Sequence, residues 1–354
     1  MSESEIAPRR AVVGRRSHFG RLSALVAALA FTVLLAAGCD QRGKTSSSNS
    51  QEPVETVTIA IAPYAGTAAV YIASAKGFFE EEGLKVAVQI HSSGKVALDT
   101  VLEGKADIAT VADLPFALAA LKGQPVSLLA TLATGAGDYG IVGRKDRGIT
   151  GPATLKGKCI AVTFGASGDF FLDALLVRHR LSRADVQVMN RKPEEMADTL
   201  QSGEADAVST WEPYVSVASK RLGGNAIAFS SAGIYDSTFN VAATQEFAGK
   251  RAGAVKKMLR ALVRAEDFYA SDRPAAERIV AEALKTSVPE AQQLLSKHRF
   301  GLSLDQGLLV MMEDEARWAM RSKLVEEKAL PNFLANIQLT ELLSVKPRAV
   351  TVIH

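Results

Sequence analysis

Several stretches of this 354-residue chain carry residue types that could do chemistry. Gly38-Cys39-Asp40-Gln41-Arg42-Gly43-Lys44-Thr45 has the spacing of a phosphate-cradling loop. That loop works only between a strand and a helix. Here an apolar run precedes it and a Ser/Asn-rich stretch comes after it, so the match is rejected. Gly135 to Gly140 fits a dinucleotide fingerprint after a strand-like run, Val126 to Ala133. The next residues, Ile141 to Arg144, read as another strand, and no acid stands where a ribose contact belongs. Ser167 sits in Gly-Ala-Ser-Gly-Asp, and a nucleophile elbow needs glycine where Asp169 stands. The five histidines show no metal-ligand spacing. Cys159, in an apolar Cys-Ile-Ala-Val run, reads as a small buried hydrophobe.

Binding chemistry is left. Thr67, Ser92, Ser93, Ser167 and Gly168 fall at or near expected helix starts, where hydroxyls and free amide N–H groups can hold an oxyanion without a full counter-charge. Simple N-capping is the alternative, and one residue can do both. Tyr64, Phe170, Trp211 and Tyr214 are candidates for an aromatic wall, with core packing as the alternative. For Phe171 core packing is preferred. Asp113 and Glu212 decide the ligand's charge. Facing a cleft, they favour a ligand bearing an amine; capping helices or paired with a lysine, they say nothing about it.

These residues need elements to position them, and a faint duplication supplies the plan. Gly104-Lys-Ala-Asp107 matches Gly203-Glu-Ala-Asp206, and the same offset relates Gly66 to Gly165 and Asp113 to Glu212. Each copy reads β-α-β-α-β, which calls for parallel strands covered by helices. The strand tips, where ligands bind in such sheets, are Pro63–Thr67, His91–Gly94 and Val111–Pro115 in one copy. In the other they are Thr163–Phe170, Asn190–Lys192 and Thr210–Tyr214. From Ala242 to Val345 the spacing is mostly helical. Two crossings between lobes are expected, near Ile141–Lys145 and Phe239–Thr244. Together they form a hinge.

Five arginines precede an apolar run, Leu22 to Ala37, which ends in Leu34-Leu35-Ala36-Ala37-Gly38-Cys39. This is the layout of a signal peptide. It is similar to the lipobox of bacterial lipoproteins, with Ala36 where leucine is usual. That likeness implies cleavage before Cys39 and its acylation, with a flexible tether beyond it. The leader carries the whole net charge of +3, so the body is neutral and offers no footprint for nucleic acid.

Tyr71-Ile-Ala-Ser-Ala-Lys-Gly-Phe-Phe-Glu-Glu-Glu-Gly-Leu-Lys-Val86, Leu155 to Val162, Gly165 to Leu172, Pro193 to Met196 and Trp211-Glu-Pro-Tyr214 together resemble the sulfonate/nitrate/taurine-type periplasmic binding proteins of ABC importers. That group is related to thiamine pyrimidine-precursor synthases. The resemblance runs from about Val57 to Ile353. It implies the type II periplasmic-binding-protein fold: an α/β architecture with two lobes on a two-crossing hinge. The expected division is a signal peptide at 1–38, acylated cysteine and tether at 39–56, lobe 1 at 57–145, lobe 2 at 146–239, and a return to lobe 1 at 240–354. The implied function is capture of an alkanesulfonate, taurine or nitrate type of solute for an importer permease. An aminopyrimidine binder, or a synthase-like enzyme, is the alternative. No cofactor, metal or catalytic residue is expected, and the protein is expected to act as a monomer anchored outside the cytoplasm. Phe170 matches a ligand-facing position of that group. The expected ligand set is Tyr64, Gly66, Thr67, Ser92, Ser93, Asp113, Ser167, Gly168, Asp169, Phe170, Trp211 and Glu212. Substitution Cys39→Ser is expected to move the protein from the membrane to the soluble fraction on cell fractionation; continued membrane association would refute the acyl anchor.

Overall fold

The computed structural model describes residues 54–326 and 329–353. The leader, Cys39 and nearly all of the tether lie outside the described residues. Among those described, no helix is long and apolar enough to cross a membrane.

The first half opens with short apolar runs separated by helices, as strands covered on both faces require. These are β1 (Glu55–Ile61), α1 (Ala68–Ala75), α2 (Phe78–Glu81), β2 (Leu84–Ile90), α3 (Gly94–Leu102), β3 (Ile108–Ala112), α4 (Asp113–Leu121) and β4 (Val126–Ala136). The second half repeats the plan. It contains β5 (Tyr139–Arg144), β6 (Cys159–Val162), α5 (Ser167–Arg178), β7 (Gln187–Asn190), α6 (Met196–Ser202), β8 (Ala207–Trp211), α7 (Tyr214–Leu222) and β9 (Ala226–Ser230). The chain returns through β10 (Asp236–Thr244). It ends in α8 (Gln245–Lys250), α9 (Ala252–Ser271), α10 (Arg273–Leu284), α11 (Val288–Leu295), β11 (His298–Ser303), α12 (Gln306–Arg321) and α13 (Leu339–Val345).

Two sheets result, ordered β2-β1-β3-β10-β4-β11 and β7-β6-β8-β5-β9. In each, three parallel strands come from one lobe's own repeat, and the fourth neighbour is the antiparallel strand that has just crossed over. Strand β10 enters between β3 and β4; β5 enters between β8 and β9. The largest apolar cluster surrounds the first sheet, from Val57 and Phe79 to Leu262 and Met312. Two smaller clusters cover the faces of the second, one of them around a fully buried Phe171.

The repeat is realised atom for atom at one place. The Thr58 amide donates to Asp107 Oδ2 at 2.7 Å, and the Cys159 amide donates to Asp206 Oδ2 at 2.9 Å. The same aspartates donate their own amides back to Thr58 and Cys159. Gly104 and Gly203 precede them with φ of 72° and 80°, a left-handed turn that suits glycine. Each Gly-x-Ala-Asp motif therefore latches a third strand to a first.

Three expectations need correction. The crossings fall at Gly137–Asp138 and at Ser231–Tyr235, a few residues before the expected ones; residues 139–144 belong to the second sheet and 236–239 to the first. Both expected positions lie inside continuous apolar strands, which hide the turn before them. Residues 298–303, inside the stretch expected to be mostly helical, form the edge strand β11 against β4. Cys159 is half-buried. Asp107→Ala and Asp206→Ala should each lower unfolding free energy by about 1–3 kcal/mol in urea titrations, because each leaves a strand amide without its acceptor. Similar losses at the two positions are the expected result of an equivalent role.

Candidate functional site

Two helices, one per lobe, begin at the same cavity. Helix α3 starts after Ser93, whose Oγ accepts the Val96 amide at 3.3 Å. Helix α5 starts at Ser167. The amides of Gly94 and Lys95, and of Ser167 and Gly168, have no acceptor among the described residues. Ser167 is 3% exposed, and its Oγ lies beside the Tyr139 hydroxyl without a hydrogen bond of regular geometry. Unpaired helix-start amides carry positive potential with nothing to receive it.

The cavity is lined by Tyr64, Ser93, Gly94, Lys95, Ala112, Pro115, Tyr139, Ala166, Ser167, Trp211 and Phe239, with about 370 Å³ of empty space including its opening to solvent. Four of these eleven residues are aromatic. Tyr64 packs on Phe239 at 5.1 Å between centroids, and Tyr139 on Trp211 at 6.5 Å. Burial raises the Tyr64 and Tyr139 pKa values well above the phenol range, so both hydroxyls stay protonated, and Tyr64 Oη donates to the Thr110 carbonyl at 3.4 Å. No carboxylate lines this space; Lys95 is its one charged residue, and it pairs with Asp99 at 2.7 Å.

Backbone closeness holds both helix starts in place. A Cβ on Gly94 would lie 2.8 Å from the Tyr64 hydroxyl and 3.1 Å from Val111 Cα. One on Gly168 would lie 3.2 Å from the Ser209 carbonyl oxygen, and Ser209 Oγ donates to the Gly168 carbonyl at 2.7 Å. Glycine lets each helix sit directly against its strand, α3 on β3 and α5 on β8.

Of the expected ligand set, Tyr64, Ser93, Ser167 and Trp211 line the cavity. The others are elsewhere. Gly66 is packed under the Phe239 ring, where a Cβ would stand 2.3 Å from Cγ. Thr67 is buried and donates its hydroxyl to the Tyr64 carbonyl at 2.8 Å. The aromatic lid thus covers the first helix start of lobe 1 and leaves the role to α3. Ser92 is exposed beside the cavity but does not line it. The Gly168 Cα serves packing against β8, and only its amide is left to a ligand. Asp169 is turned back to Arg183 at 2.7 Å and accepts the Gly165 amide. Phe170 packs edge-on against Tyr235 and Trp318, behind the second crossing. Gly94, Lys95, Ala112, Pro115, Tyr139, Ala166 and Phe239 line the cavity and were missing from the expected set. Tyr139 comes just after one crossing and Phe239 lies on a strand that begins after the other, so correct placement of the crossings would have pointed to both.

Asp113 and Glu212 occupy matching places after β3 and β8, and neither faces the cavity. Glu212 accepts from Lys297 Nζ at 2.7 Å and from the Ser216 amide at 3.1 Å. Asp113 accepts from the Leu114 and Thr238 amides and from the Tyr235 hydroxyl. Neither carboxylate therefore calls for an amine on the ligand.

Instead, acids pin the crossings. Tyr235 Oη touches Asp113 and, at 3.0 Å, Glu315 Oε1, all three fully or almost fully buried. One phenol proton cannot serve two carboxylates, so a carboxyl must carry a proton. Burial, then the Asp113 charge, raises the Glu315 pKa well above normal, and burial raises Asp113 as well, so the two carboxyls hold one proton between them with Glu315 pushed further. At the first crossing His298 contacts the Leu294 carbonyl through Nδ1 at 2.9 Å and Asp138 through Nε2 at 3.0 Å. Both ring nitrogens face acceptors. Burial would lower the His298 pKa, but the Asp138 carboxylate and the Leu294 carbonyl outweigh it and the pKa is raised.

A pair of α/β lobes with strand tips facing a shared cavity, joined by two crossings, defines the type II periplasmic-binding-protein fold. The chain belongs to the NMT1/THI5-like family, whose model matches residues 65–276. A protein of Brucella abortus assigned as a binding protein is 29% identical over 71% of this chain and 77% of its own length. A protein of Bacillus subtilis assigned as an aliphatic sulfonates-binding protein is 26% identical over 85% and 90%. Among solved structures, the alkanesulfonate-binding protein SsuA of Xanthomonas axonopodis pv. citri, bound to MOPS, superposes with a TM-score of 0.70 at 17% identity, covering 81% of this chain and 99% of that one. The desulfurization enzyme DSZB shares the fold at a TM-score of 0.55 and 20% identity, covering 80% and 98%.

Because a raised folded-state carboxyl pKa means stability is greatest below the unfolded value, 4.5 for Glu315, and is lost as pH climbs toward the folded one, the wild type should lose stability from about pH 4.5 upward through this group. Glu315→Gln keeps a hydrogen-bond partner for Tyr235 and cannot ionise. It should flatten that loss and raise Tm at pH 8 by about 2–4 °C in differential scanning calorimetry; an unchanged pH slope would count against a protonated Glu315.

Proposed function

We propose that this protein is an extracytoplasmic solute-binding lipoprotein that captures a small organic anion between its lobes and presents it to an ABC importer. The observation that carries this reading is the meeting of two helix starts, one from each lobe, at a cavity lined by Ser167 and by no carboxylate. An anion placed there accepts from both lobes at once. Its binding free energy then favours the closed arrangement, since only that arrangement brings both donor sets to one ligand. The aromatic wall of Tyr64, Tyr139, Trp211 and Phe239 suits an organic moiety better than a bare nitrate. The relatives assigned to sulfonates support the same ligand type. The acylated Cys39, the tether and a monomeric state complete the proposal.

The enzymatic alternative draws less support. Cys159 sits in strand β6, outside the cavity lining, and burial raises its thiol pKa, so it is a poor nucleophile. Isothermal titration with sulfonates, taurine, nitrate and aminopyrimidines is the direct test. Simple organosulfonates should bind best. Trp211→Ala should weaken the best ligand by about thirtyfold or more, the size of a central aromatic contact, and Ser167→Ala by about tenfold, a hydrogen bond to a charged acceptor. Binding of aminopyrimidines alone, or affinities that neither substitution alters, would defeat the reading.

A further inference from the structure

Helix α12 belongs to the first lobe by its buried face and yet touches the second. Leu308, Met312, Ala316 and Ala319, spaced three and four apart, pack into the core around the first sheet. Met311, Glu315 and Trp318 form an adjoining stripe at the same spacing, turned to the other lobe. Met311 packs on an apolar cluster of the second sheet. Glu315 meets Tyr235 of the second crossing at 3.0 Å. Trp318 is 6% exposed and donates from Nε1 to Asp173 Oδ2 of α5 at 2.8 Å. Its ring stands edge-on to Phe170 at 5.4 Å between centroids, and Phe170 packs against the apolar clusters of both sheets.

This contact leads back to the cavity. Asp173 holds Arg183 through its other oxygen at 3.2 Å, Arg183 pairs with Asp169 at 2.7 Å, and Asp169 accepts the Gly165 amide at 3.1 Å. Those groups brace the start of α5, whose Ser167 and Gly168 amides are half of the proposed anion site. The polar bonds of α12 respond differently to a hinge rotation. Tyr235 is part of the crossing, so its bond to Glu315 lies at the pivot. Asp173 moves with the second lobe and Trp318 with the first, so a rotation that carries α5 away from α12 parts them, since a hydrogen bond does not stretch far beyond 3 Å. We propose that the Trp318–Asp173 hydrogen bond ties the lobes together and holds the start of α5 opposite that of α3. Trp318 is then a positioning residue for ligand binding, although it lies outside the cavity. The proposal rests on the two-lobe capture reading above and adds a contribution to closure that does not come from the ligand. A bond made only when the lobes are together stabilises that arrangement whether or not a ligand is bound, so an arriving ligand meets a larger fraction of competent protein.

The test is Trp318→Phe, which keeps an aromatic ring against Phe170 and removes the Nε1 donor, made in the mature chain with Cys39→Ser present in every sample. Small-angle X-ray scattering without ligand reads the lobe arrangement, and the radius of gyration should be larger in Trp318→Phe than in the parent. Titration calorimetry with ethanesulfonate should show binding about tenfold weaker, the size of a hydrogen bond to a charged acceptor. Met312→Ala, on the stripe that faces the first lobe, controls for general damage: it should lower Tm and leave the radius at the parent value. An unchanged radius in Trp318→Phe, or an equal increase in Met312→Ala, overturns the tie and leaves the anion site standing. A larger radius with unchanged ethanesulfonate affinity overturns the positioning role. A larger radius in Trp318→Phe alone, with no ethanesulfonate binding even in the parent, upholds the tie and counts against the anion-binding reading.

Discussion

Four backbone amides, two from each half of the molecule, have no place among the described residues to send their protons. Helix-start amides need an acceptor from outside their own helix, and three of these four belong to residues that line one cavity. The rest of the structure serves that constraint. Parallel strands set both helix starts at the same end of their sheets. Gly94 and Gly168 let backbone approach backbone, so the starts cannot retreat. Aromatic rings exclude water from around them, which strengthens any interaction with charge. The acids nearby are turned aside, Glu212 paired with Lys297 and Asp113 hydrogen-bonded to Tyr235. A site without carboxylates is thus an actively maintained condition, not a default of composition.

Much of the plan could be read from the chain, because it rests on local signals. The β-α-β-α-β order read from each copy is present, and α3 and α5 begin next to Ser93 and at Ser167, two of the expected helix starts. The matching Gly-x-Ala-Asp motifs disclosed two similar halves, and their aspartates make the same hydrogen bonds. What stayed hidden depends on partners far along the chain. Asp113 finds Tyr235 and Thr238 more than a hundred residues later, and Glu212 finds Lys297. No local pattern announces such pairings. Gly66 and Thr67 were misjudged for the same reason: Phe239, from the returning strand, lies over Gly66 and closes off that helix start. The shared offset itself misled at this point. The first strands pair with the third ones at 59 with 108 and at 160 with 207, so the repeat slips by two residues between its strands, and Gly66 does not correspond to Gly165 in conformation.

The crossings separate two tasks that one sequence segment could not combine. Asp138 and Tyr235 are residues through which any relative movement of the lobes must pass. Each is held by a hydrogen bond whose proton sits in a buried setting. Such contacts are directional and have few substitutes in an apolar interior, so they fix the hinge's resting geometry.

The insertion of β10 between β3 and β4 bears on how the chain is made. Residues of the second sheet, 139–230, form a continuous stretch and can pair as soon as they are synthesised. The first sheet cannot. Its β3 and β4 are adjacent in sequence, yet a gap the width of one strand separates them until residues 236–244 arrive. Contacts that wait for distant segments form slowly. The amino-terminal half of this protein should therefore be the last to mature and the part most in need of protection while it waits.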